Sequence, residues 1–391
     1  MVSEKRVRQQ LQTVERLLHE YAGERGVPLA RFLTGFYKRN RQMGSKDRRT
    51  ASQWVYQYFR IGTAAQQEET TMRIAMADFL CSDDCTVASV ILPHLPVDRS
   101  ADISEKIALL EANTTFRLDD VFPFGQYLSA GIDRRSLVES LFIQPDLYIR
   151  LRPRYREAVM AALEGAQIDY RPVDRYTVAL PNGTALTGIA GIAGKYEVQD
   201  YSSQQTGTYF QAADGERWWD ACAGAGGKSL LLLDQWPGVD LLVSDTRRSI
   251  LRNLDERFEL AGIKGYRQKV IDLTNDPAGV LGNTQFDGII LDAPCTGSGT
   301  WGRTPEMLAA FDRQSINRFA ALQRQLAAQV IKHLKPGKPL VYITCSVFAE
   351  ENEGVVAYLQ DAFGLDVKQS TVLHGYRHKA DSMFVARLVA R

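Results

Sequence analysis

Apolar residues recur at helical spacing through the first third of the chain. Over residues 3–22 they are separated by three or four positions, the spacing of one face of an α-helix. Further segments with this spacing are 29–37, 48–61, 71–92 and 104–113. Ser45 precedes the third predicted helix at a position suited to an N-cap. Because strand-like patterns are scarce before residue 140, we expect residues 1–130 to form an all-helical domain.

The pattern becomes strand-like after residue 139. Residues 147–152 and 176–180 predict short strands, and residues 154–164 between them have helical spacing. We therefore predict that residues 131–204 form a small α/β module that connects two larger domains.

Strands and helices alternate from residue 205 onwards. The apolar runs that predict strands end at Asp220, Asp245, Asp272, Asp292 and Thr344. Helical patterns separate them, the longest over residues 315–334. This alternation is typical of α/β proteins with a doubly wound parallel sheet, which we predict for residues 205–391.

Charge is distributed unevenly along the chain. Residues 1–60 contain 13 Lys+Arg and 5 Asp+Glu, whereas the whole chain has a formal net charge of only +1. A basic N-terminal region on a mildly acidic remainder favours an anionic partner such as nucleic acid. Arg150, Arg152, Arg154 and Arg156 add positive charge to the connecting module, where we expect them to hold the phosphates of such a partner.

The sequence carries no signal for a membrane or a metal. No apolar stretch approaches the ~18 residues of a membrane span, and the N-terminus lacks the apolar core of a secretory signal. The five cysteines form no paired framework, which favours a reducing, cytoplasmic setting. Cys81 and Cys85 lack a second pair and the five histidines form no cluster, so we predict no metal site.

A glycine-rich segment, residues 220–228, follows the first strand of the predicted sheet and opens a helix. Glycines there allow the backbone to approach a ligand closely, but the spacing fits neither a P-loop nor a dinucleotide-binding loop. Asp245, at the end of the second strand, is placed to bind ribose hydroxyls, and Asp272, at the end of the third, to meet an adenine edge. Aspartates also cap helices, but three in succession favour an adenosine ligand without phosphates. S-adenosylmethionine fits this description.

Two cysteines follow two other predicted strands, Cys295 after residues 286–292 and Cys345 after residues 340–344. Because the carboxyl ends of parallel strands meet at one edge of a sheet, we expect both thiols in one cleft. A thiolate that adds to C6 of a pyrimidine ring activates C5 to attack a methyl donor, and a second thiol assists release. Asp292 is placed to act as an acid at N3 of the ring, and Lys228 to supply positive charge.

The two cysteine segments, residues 292–299 and 342–346, resemble the paired motifs of RNA (cytosine-5) methyltransferases. The resemblance runs from about residue 195 to 391. Its other matching segments are residues 199–204, the glycine-rich loop, 302–306 and 381–386. It implies a Rossmann-like S-adenosylmethionine methyltransferase fold and formation of 5-methylcytosine in RNA. The chain departs from the family pattern at Ala225, where proline is usual, and at Lys338, where a glycine is common.

Residue roles follow from this resemblance. It implies that Cys345 is the nucleophile, that Cys295 aids product release, and that Asp292 and Lys228 act at the base. The cofactor-binding residues it implies are Cys222, Ala223, Gly224, Gly226, Gly227, Lys228, Asp245, Arg248, Asp272 and Asp292. DNA cytosine-5 methyltransferases instead use the cysteine of a Pro-Cys pair, here Cys295, as nucleophile, so this competing assignment stays open.

Residues 45–49, followed by 55–60, resemble the NusB-like RNA-binding domain of some bacterial ribosomal RNA cytosine-5 methyltransferases. This implies small-subunit ribosomal RNA as the partner, and we expect a monomer that takes part in rRNA processing. One alternative is a transfer RNA substrate. Another is an RNA-binding ribosome assembly factor without catalysis, which has no need of Lys228, Asp292, Cys295 and Cys345 together.

Overall fold

The computed structural model describes residues 3–24, 26–95 and 101–391. The α-helices are α1 (Glu4–Ala22), α2 (Leu29–Arg39), α3 (Ser45–Arg60), α4 (Thr70–Cys81), α5 (Ala88–Ile91), α6 (Ile103–Asn113), α7 (Leu118–Val121), α8 (Arg134–Leu141), α9 (Arg156–Gly165), α10 (Tyr201–Gln205), α11 (Gly227–Gln235), α12 (Arg248–Leu260), α13 (Ala278–Leu281), α14 (Pro305–Ala309), α15 (Gln314–Ile331) and α16 (Glu353–Phe363). The strands are β1 (Leu147–Leu151), β2 (Arg171–Pro172), β3 (Thr177–Leu180), β4 (Tyr196–Val198), β5 (Arg217–Asp220), β6 (Asp240–Asp245), β7 (Tyr266–Val270), β8 (Gly288–Asp292), β9 (Pro339–Thr344), β10 (Asp366–Leu373) and β11 (Met383–Val389). None of the helices in the described ranges combines the length and the apolar character that crossing a membrane requires.

The described residues divide into two units. One comprises the residues up to Gln126 together with Asp133–Gln144 and Trp301–Asp312. The other comprises Tyr127–Ile132, Pro145–Thr300 and Arg313–Arg391. The first unit is helical and the second holds both sheets. The finer division of the chain into three domains stays a prediction.

Helix α1 shows how the helical unit is built. Its buried side chains form the apolar stripe that the spacing predicted: Val7, Leu11, Val14, Leu17 and Leu18. Helix α3 begins at Ser45 itself, since Arg48 N donates the first helical hydrogen bond to Gly44 O at 3.0 Å. The prediction of Ser45 as the N-cap is therefore wrong by one residue.

The single helix predicted over residues 71–92 is wrong, because the structure has two helices there. Helix α4 ends at Cys81 and α5 covers only Ala88–Ile91. The buried carboxylate of Asp78 accepts hydrogen bonds from Val87 N at 2.7 Å and Ala88 N at 3.1 Å. These bonds satisfy backbone donors at the start of α5, so a break in the helix is stabilised by a side chain that the apolar pattern does not reveal.

Trp301–Asp312 belongs to the helical unit although it is distant in sequence. Arg60, which is 2% exposed, donates to Gly302 O at 2.9 Å. Leu29 N donates to Glu306 Oε1 at 3.3 Å. Arg60 is therefore a structural cation, and its charge is not available to an anionic partner of the basic N-terminal region.

The smaller sheet has the strand order β2-β3-β1-β4, with every pair antiparallel. Its apolar core lies against α9 and includes Ile149, Leu151, Val159 and Leu163. Strands β1 and β3 and helix α9 confirm the elements predicted for the connecting module. Strands β2 and β4 were not predicted, since two or three residues are too few for a recognisable pattern.

The larger sheet has the order β10-β11-β9-β8-β5-β6-β7. Strands β9, β8, β5, β6 and β7 run parallel, which confirms the doubly wound α/β fold. Two strands that were not predicted extend the sheet at one edge, where β11 pairs antiparallel with β9, and β10 with β11. Chain order reverses between β5 and β8, and ligands of such sheets bind beside this point at the carboxyl ends of the strands.

Alternate residues of the central strands enter two separate cores. Trp219, Ile289 and Leu291 point to the core that contains α15 and α16. Trp218 and Ile290 point to the core that contains α11 and α12. This period of two along strands that are buried on both faces gives the near-continuous apolar runs from which the sheet was predicted.

Two of the four arginines expected to hold RNA phosphates are structural instead. Arg150 and Arg152 are 5% and 8% exposed, and both form ion pairs with the carboxylate of Asp234, with Arg152 Nε at 2.9 Å. Arg152 also donates to the carbonyl oxygens of Gly194 and Ala261. The phosphate-binding prediction is wrong for Arg150 and Arg152, because a cation buried against a carboxylate cannot reach a phosphate. Arg154 is exposed and remains a candidate.

Asp234→Ala is expected to lower the free energy of unfolding by roughly 3–5 kcal/mol, because it leaves two buried guanidinium groups without their anion. Asp240→Ala is a matched control, since Asp240 pairs with Arg217 and Arg267 at an exposed site and its loss should cost less than about 1 kcal/mol. Urea unfolding followed by circular dichroism measures both. Equal losses in the two variants would contradict the structural role of Asp234.

Candidate active site

Carboxylates and loops collect at one edge of the larger sheet. Asp220, Asp245 and Asp292 are the last residues of β5, β6 and β8, and Cys345 follows Thr344 at the end of β9. These four strands are parallel neighbours, so their carboxyl ends share an edge. The edge therefore carries almost every residue that the sequence singled out.

The structure brings the two cysteines together. Cys295 Sγ and Cys345 Sγ lie 3.3 Å apart, and both side chains are partly exposed. We call Cys295 and Cys345 the thiol pair. The hydrogen bond with Cys345 and burial raise the pKa of the Cys295 thiol well above its ordinary value. Cys345 lines a cleft together with Lys228 and Asp292, and its role as the nucleophile of the pair stays a prediction.

Lys228 and Asp292 lie together in the cleft that Cys345 lines. The cleft has a volume of about 320 Å³, and Gln199, Asp200 and Met383 also line it. Lys228 Nζ lies 3.0 Å from Asp292 Oδ2 and is only 8% exposed at its side chain. A thiol, a cation and a carboxylate thus face one space large enough for a planar heterocycle.

The segment before the sheet supplies side chains whose roles the sequence did not assign. Ser203 Oγ accepts a hydrogen bond from Lys228 Nζ at 2.8 Å. Asp200 Oδ2 accepts one from Asp381 N at 3.0 Å, while Oδ1 accepts from Ser202 N at the start of α10. Residues 199–204 and 381–386 were both among the matching segments, and the structure gives the reason, since they hold two walls of the cleft together.

The glycine-rich loop has the open shape that a ligand requires. Gly224 and Gly226 have φ of +53° and +83°, values that favour glycine. A Cβ on Gly226 would lie 2.7 Å from Phe258, whereas a Cβ on Gly224 would meet nothing within 4 Å. Helix α11 begins at Gly227, so the loop passes directly from the end of β5 into a helix. Cys222 is partly exposed and Ala223 is buried beside it.

Asp245 is contacted by an arginine that the sequence analysis did not select. Arg247 Nε lies 3.1 Å from Asp245 Oδ1, and Gly224 N donates to Oδ2 at 3.1 Å. Burial opposes ionisation of Asp245, but the hydrogen bonds from Arg247 outweigh it and hold its pKa below the usual range. Arg248, the predicted cofactor residue, is the exposed first residue of α12.

Asp272 lies beyond its predicted strand. Strand β7 ends at Val270, so the prediction that the third strand ends at Asp272 is wrong. The side chain of Asp272 is exposed and accepts hydrogen bonds from Thr274 N and Thr274 Oγ1, which hold its pKa below the usual range. It caps the turn that follows, an outcome that short polar side chains favour.

The raised pKa of Asp220 predicts that the stability of the fold depends on pH. Burial raises its pKa from 3.8 to about 7, against the hydrogen bond from Ser229 Oγ. The folded chain therefore holds a proton that the unfolded chain releases between about pH 4 and pH 7, so this contribution to stability is lost as pH rises through that window. Asp220→Asn should melt several degrees higher than the unsubstituted chain at pH 8, with a smaller difference at pH 5. Thermal unfolding at both pH values measures the change in melting temperature. Asp361→Asn, at an exposed position, is the control, and its melting temperature should differ from that of the unsubstituted chain equally at the two pH values. The same behaviour of Asp220→Asn would contradict the prediction.

Residues 208–389 match the family described as 16S rRNA methyltransferase RsmB/F. Similar curated proteins include the ribosomal RNA small subunit methyltransferase B of Enterobacter sp. (strain 638), 31% identical over 227 residues, and that of Erwinia tasmaniensis, 32% identical over 223 residues. These matches cover 57% and 56% of this chain, and 53% and 52% of the relatives. The chain therefore spans about half the length of the curated relatives it matches.

Solved structures share the fold at lower identity. The crystal structure of PH0851 aligns over 100% of this chain and 99% of its own, with a TM-score of 0.72 and 18% identity. The structure of NSun6 from Pyrococcus horikoshii with SFG covers 65% of this chain and 93% of its own, with a TM-score of 0.57 and 18% identity. A methyltransferase homologue from the same organism covers 66% and 90%, with a TM-score of 0.57 and 22% identity.

Proposed function

We propose that this chain, whose residues 208–389 belong to the RsmB/F family of RNA methyltransferases, transfers a methyl group to C5 of a cytosine in small-subunit ribosomal RNA. The observation that carries the proposal is the thiol pair, with its sulfur atoms 3.3 Å apart, beside the Lys228–Asp292 ion pair. Chemistry at C5 of a pyrimidine needs a nucleophile for C6, a proton donor near N3 and a group that assists release. One cleft edge supplies all three.

The proposed cofactor is S-adenosylmethionine, which supplies an electrophilic methyl group when bound. The loop fits it in two respects. The space beside Gly224 allows an adenosyl group to approach the backbone, and the buried Asp220 has an oxygen, Oδ1, without a partner among the described residues. Asp245, at the end of β6, would hold ribose hydroxyls once the exposed Arg247 side chain moves aside. The neighbour NSun6 was crystallised with an analogue of this cofactor, in agreement with the proposal.

The remaining cofactor assignments are part of the same proposal. Cys222, Ala223, Gly226, Gly227 and Lys228 continue the loop that starts at the end of β5. Arg248 and Asp272 are exposed on the same side of the sheet, at the start of α12 and after β7. Asp292, the last residue of β8, is the remaining proposed cofactor residue.

In the proposed reaction the Cys345 thiolate adds to C6 of the target cytosine. The Asp292 carboxylate that pairs with Lys228 has no proton to donate, so it first takes one up from solvent. Protonated Asp292 then donates this proton at N3, so that the electron pair of the C5–C6 bond becomes available at C5. C5 forms a bond to the methyl carbon as the bond from that carbon to the donor's sulfur breaks, and the sulfur keeps the electron pair. Water then takes the C5 proton, the C5–H electrons re-form the C5–C6 double bond, and N3 loses the proton it received. The Cys345–C6 bond breaks with its electron pair going to the Cys345 sulfur. Lys228 holds Asp292 in place, and Cys295 assists the release of Cys345 as its neutral partner.

Binding of RNA is proposed to depend on basic side chains and on exposure of the target base. The target cytosine would leave its stack to enter the cleft, at a cost of a few kcal/mol. The proposed phosphate contacts are Arg154, Arg156 and the basic residues of α1–α3 other than the buried Arg60, so affinity should fall as salt concentration rises. We propose a NusB-like role for the helical unit and a cytoplasmic, monomeric enzyme.

The proposal is tested with labelled S-adenosylmethionine and RNA from cells that lack this chain. Label recovered as 5-methylcytosine in 16S rRNA supports it. Label recovered only in transfer RNA would move the substrate to that class. Tight binding to ribosomal precursors with no transfer to any RNA would favour an assembly factor instead.

A further inference from the structure

A single buried carboxylate lies between the two cysteine loops. Glu351 is 0% exposed and follows Cys345 on the loop that leads into α16. Its Oε1 accepts hydrogen bonds from Thr296 Oγ1 at 2.6 Å and Ser346 Oγ at 2.8 Å. Its Oε2 accepts from Thr296 N at 2.9 Å. Thr296 and Ser346 are the residues that directly follow Cys295 and Cys345, so Glu351 binds the chain one residue beyond each thiol.

The position of Glu351 is itself fixed on both sides. Gln323 Nε2 donates to Glu351 Oε2 at 3.0 Å and to Pro294 O at 2.9 Å, which joins α15 to the residue before Cys295. Tyr342 Oη donates to Glu351 O at 2.6 Å. The carboxylate therefore cannot follow a movement of either loop without losing hydrogen bonds elsewhere, and buried polar groups that lose their partners are costly.

Asn352 completes the support of the Cys345 loop. Its Oδ1 accepts from Thr344 Oγ1 at 2.5 Å and its Nδ2 donates to Ser346 O at 3.0 Å. Hydrogen bonds to Asn352 thus fix the residues on both sides of Cys345, Thr344 and Ser346. Direct bonds also join the two loops, since Thr296 Oγ1 lies 3.3 Å from Ser346 Oγ and Gly299 N donates to Cys345 O at 2.9 Å. The carboxylate of Glu351 adds the shortest of the bonds to Thr296 and is the group that accepts from both loops at once.

We propose that Glu351 is a positioning residue that keeps the thiol pair in contact, and that the release of the methylated base depends on it. This inference rests on the function proposed above. Cys345 can attack C6 without Cys295, but Cys295 can assist release only while the two sulfur atoms stay close. Loosening the Thr296 loop should therefore slow release more than RNA or cofactor binding.

The hydrogen bonds of Glu351 allow the effect of its side-chain length to be separated from the effect of its negative charge. All four side-chain contacts of Glu351 come from donors, of which Thr296 Oγ1 and Ser346 Oγ can reverse their roles, whereas Thr296 N cannot. Glu351→Gln has the same length and can place its amide nitrogen against the two hydroxyl groups. Glu351→Asp keeps the charge but is one methylene shorter, so it cannot span both loops. If the role of Glu351 is to position the two loops, Glu351→Gln should keep more activity than Glu351→Asp.

The experiment measures steady-state methylation, which gives kcat and KM, and the protein–RNA adduct that survives denaturation, for Glu351→Gln, Glu351→Asp and Glu353→Gln. Glu353 is the matched control, since it accepts hydrogen bonds from Ser129 Oγ and Ala130 N but touches neither cysteine loop. We expect Glu351→Asp to lower kcat by about 100-fold, as a displacement of about 1 Å does, with KM for RNA and cofactor little changed. The adduct should accumulate in Glu351→Asp as it does in Cys295→Ala. Glu351→Gln should lose about tenfold or less, and Glu353→Gln should match the unsubstituted chain.

The inference is overturned if Glu351→Asp accumulates no adduct, or if it stays more active than Glu351→Gln. A general loss of stability would reduce the active fraction without trapping RNA, which active-site titration with labelled cofactor separates from a slow release step. The unsubstituted chain and Cys295→Ala decide the underlying function in the same gels. If neither of these two methylates or traps RNA, the proposed function fails rather than the role of Glu351.

Discussion

Cys345→Ala is expected to abolish methyl transfer, with a loss in kcat of about 10⁴-fold or more, because a covalent mechanism has no substitute for its nucleophile. Cys345 lines the cleft together with Lys228 and Asp292, where it can reach a bound base. Transfer of label from S-adenosylmethionine to ribosomal RNA measures the loss. Cys81→Ala is a suitable control for the removal of a thiol, because Cys81 is the last residue of α4 in the helical unit and has no role in the proposed chemistry.

The companion variant separates the two thiols. Cys295→Ala should still attack the base and transfer the methyl group, but should release RNA slowly, so that a covalent adduct is visible on a denaturing gel. If Cys345→Ala stays active while Cys295→Ala is inactive without an adduct, the roles are reversed, as in the DNA cytosine-5 methyltransferases.

Asp292→Asn should reduce kcat by about 10²–10⁴-fold, the range that a positioned acid contributes. The substitution keeps the size of the side chain but removes the group that donates a proton near N3 and pairs with Lys228 at 3.0 Å. Asp287→Asn is a matched control, since Asp287 precedes β8 and pairs with Lys335 at 2.8 Å, away from the cleft. Single-turnover rates measure both variants, and a kcat for Asp292→Asn within about threefold of the unsubstituted chain would remove Asp292 from the chemistry.

The sheet and the thiol pair could be predicted because their signals are local. Parallel strands that are buried on both faces read as apolar runs, and the residue after each run must lie at the same edge of the sheet. The family prediction rested on the segments around Cys295 and Cys345, and the match of residues 208–389 to the 16S rRNA methyltransferase RsmB/F family agrees with it. The edge strand β10 was missed because its polar, partly exposed residues give little strand signal. The apolar run of β11 is mostly buried and was not assigned to a strand.

The residues that sequence reasoning misplaced are those whose partners are distant in the chain. Arg150 and Arg152 look like a surface strip in sequence, and only the fold shows that Asp234 neutralises them. Arg247 rather than its neighbour Arg248 contacts Asp245, and the sequence alone does not show which of the two side chains faces the carboxylate. Glu351 carried no signal at all, because its role comes from two loops that approach each other across 50 residues of sequence.

The measurement that tests the account most directly is the mapping of the covalent link between protein and RNA. Ribosomal RNA from cells that lack this chain would carry 5-fluorocytosine, whose fluorine cannot leave as the C5 proton does, so the reaction stops at the adduct. After incubation with S-adenosylmethionine, digestion and mass spectrometry should find the methylated base attached to Cys345. A base attached to Cys295, or no adduct from a preparation that methylates natural RNA, would contradict the account.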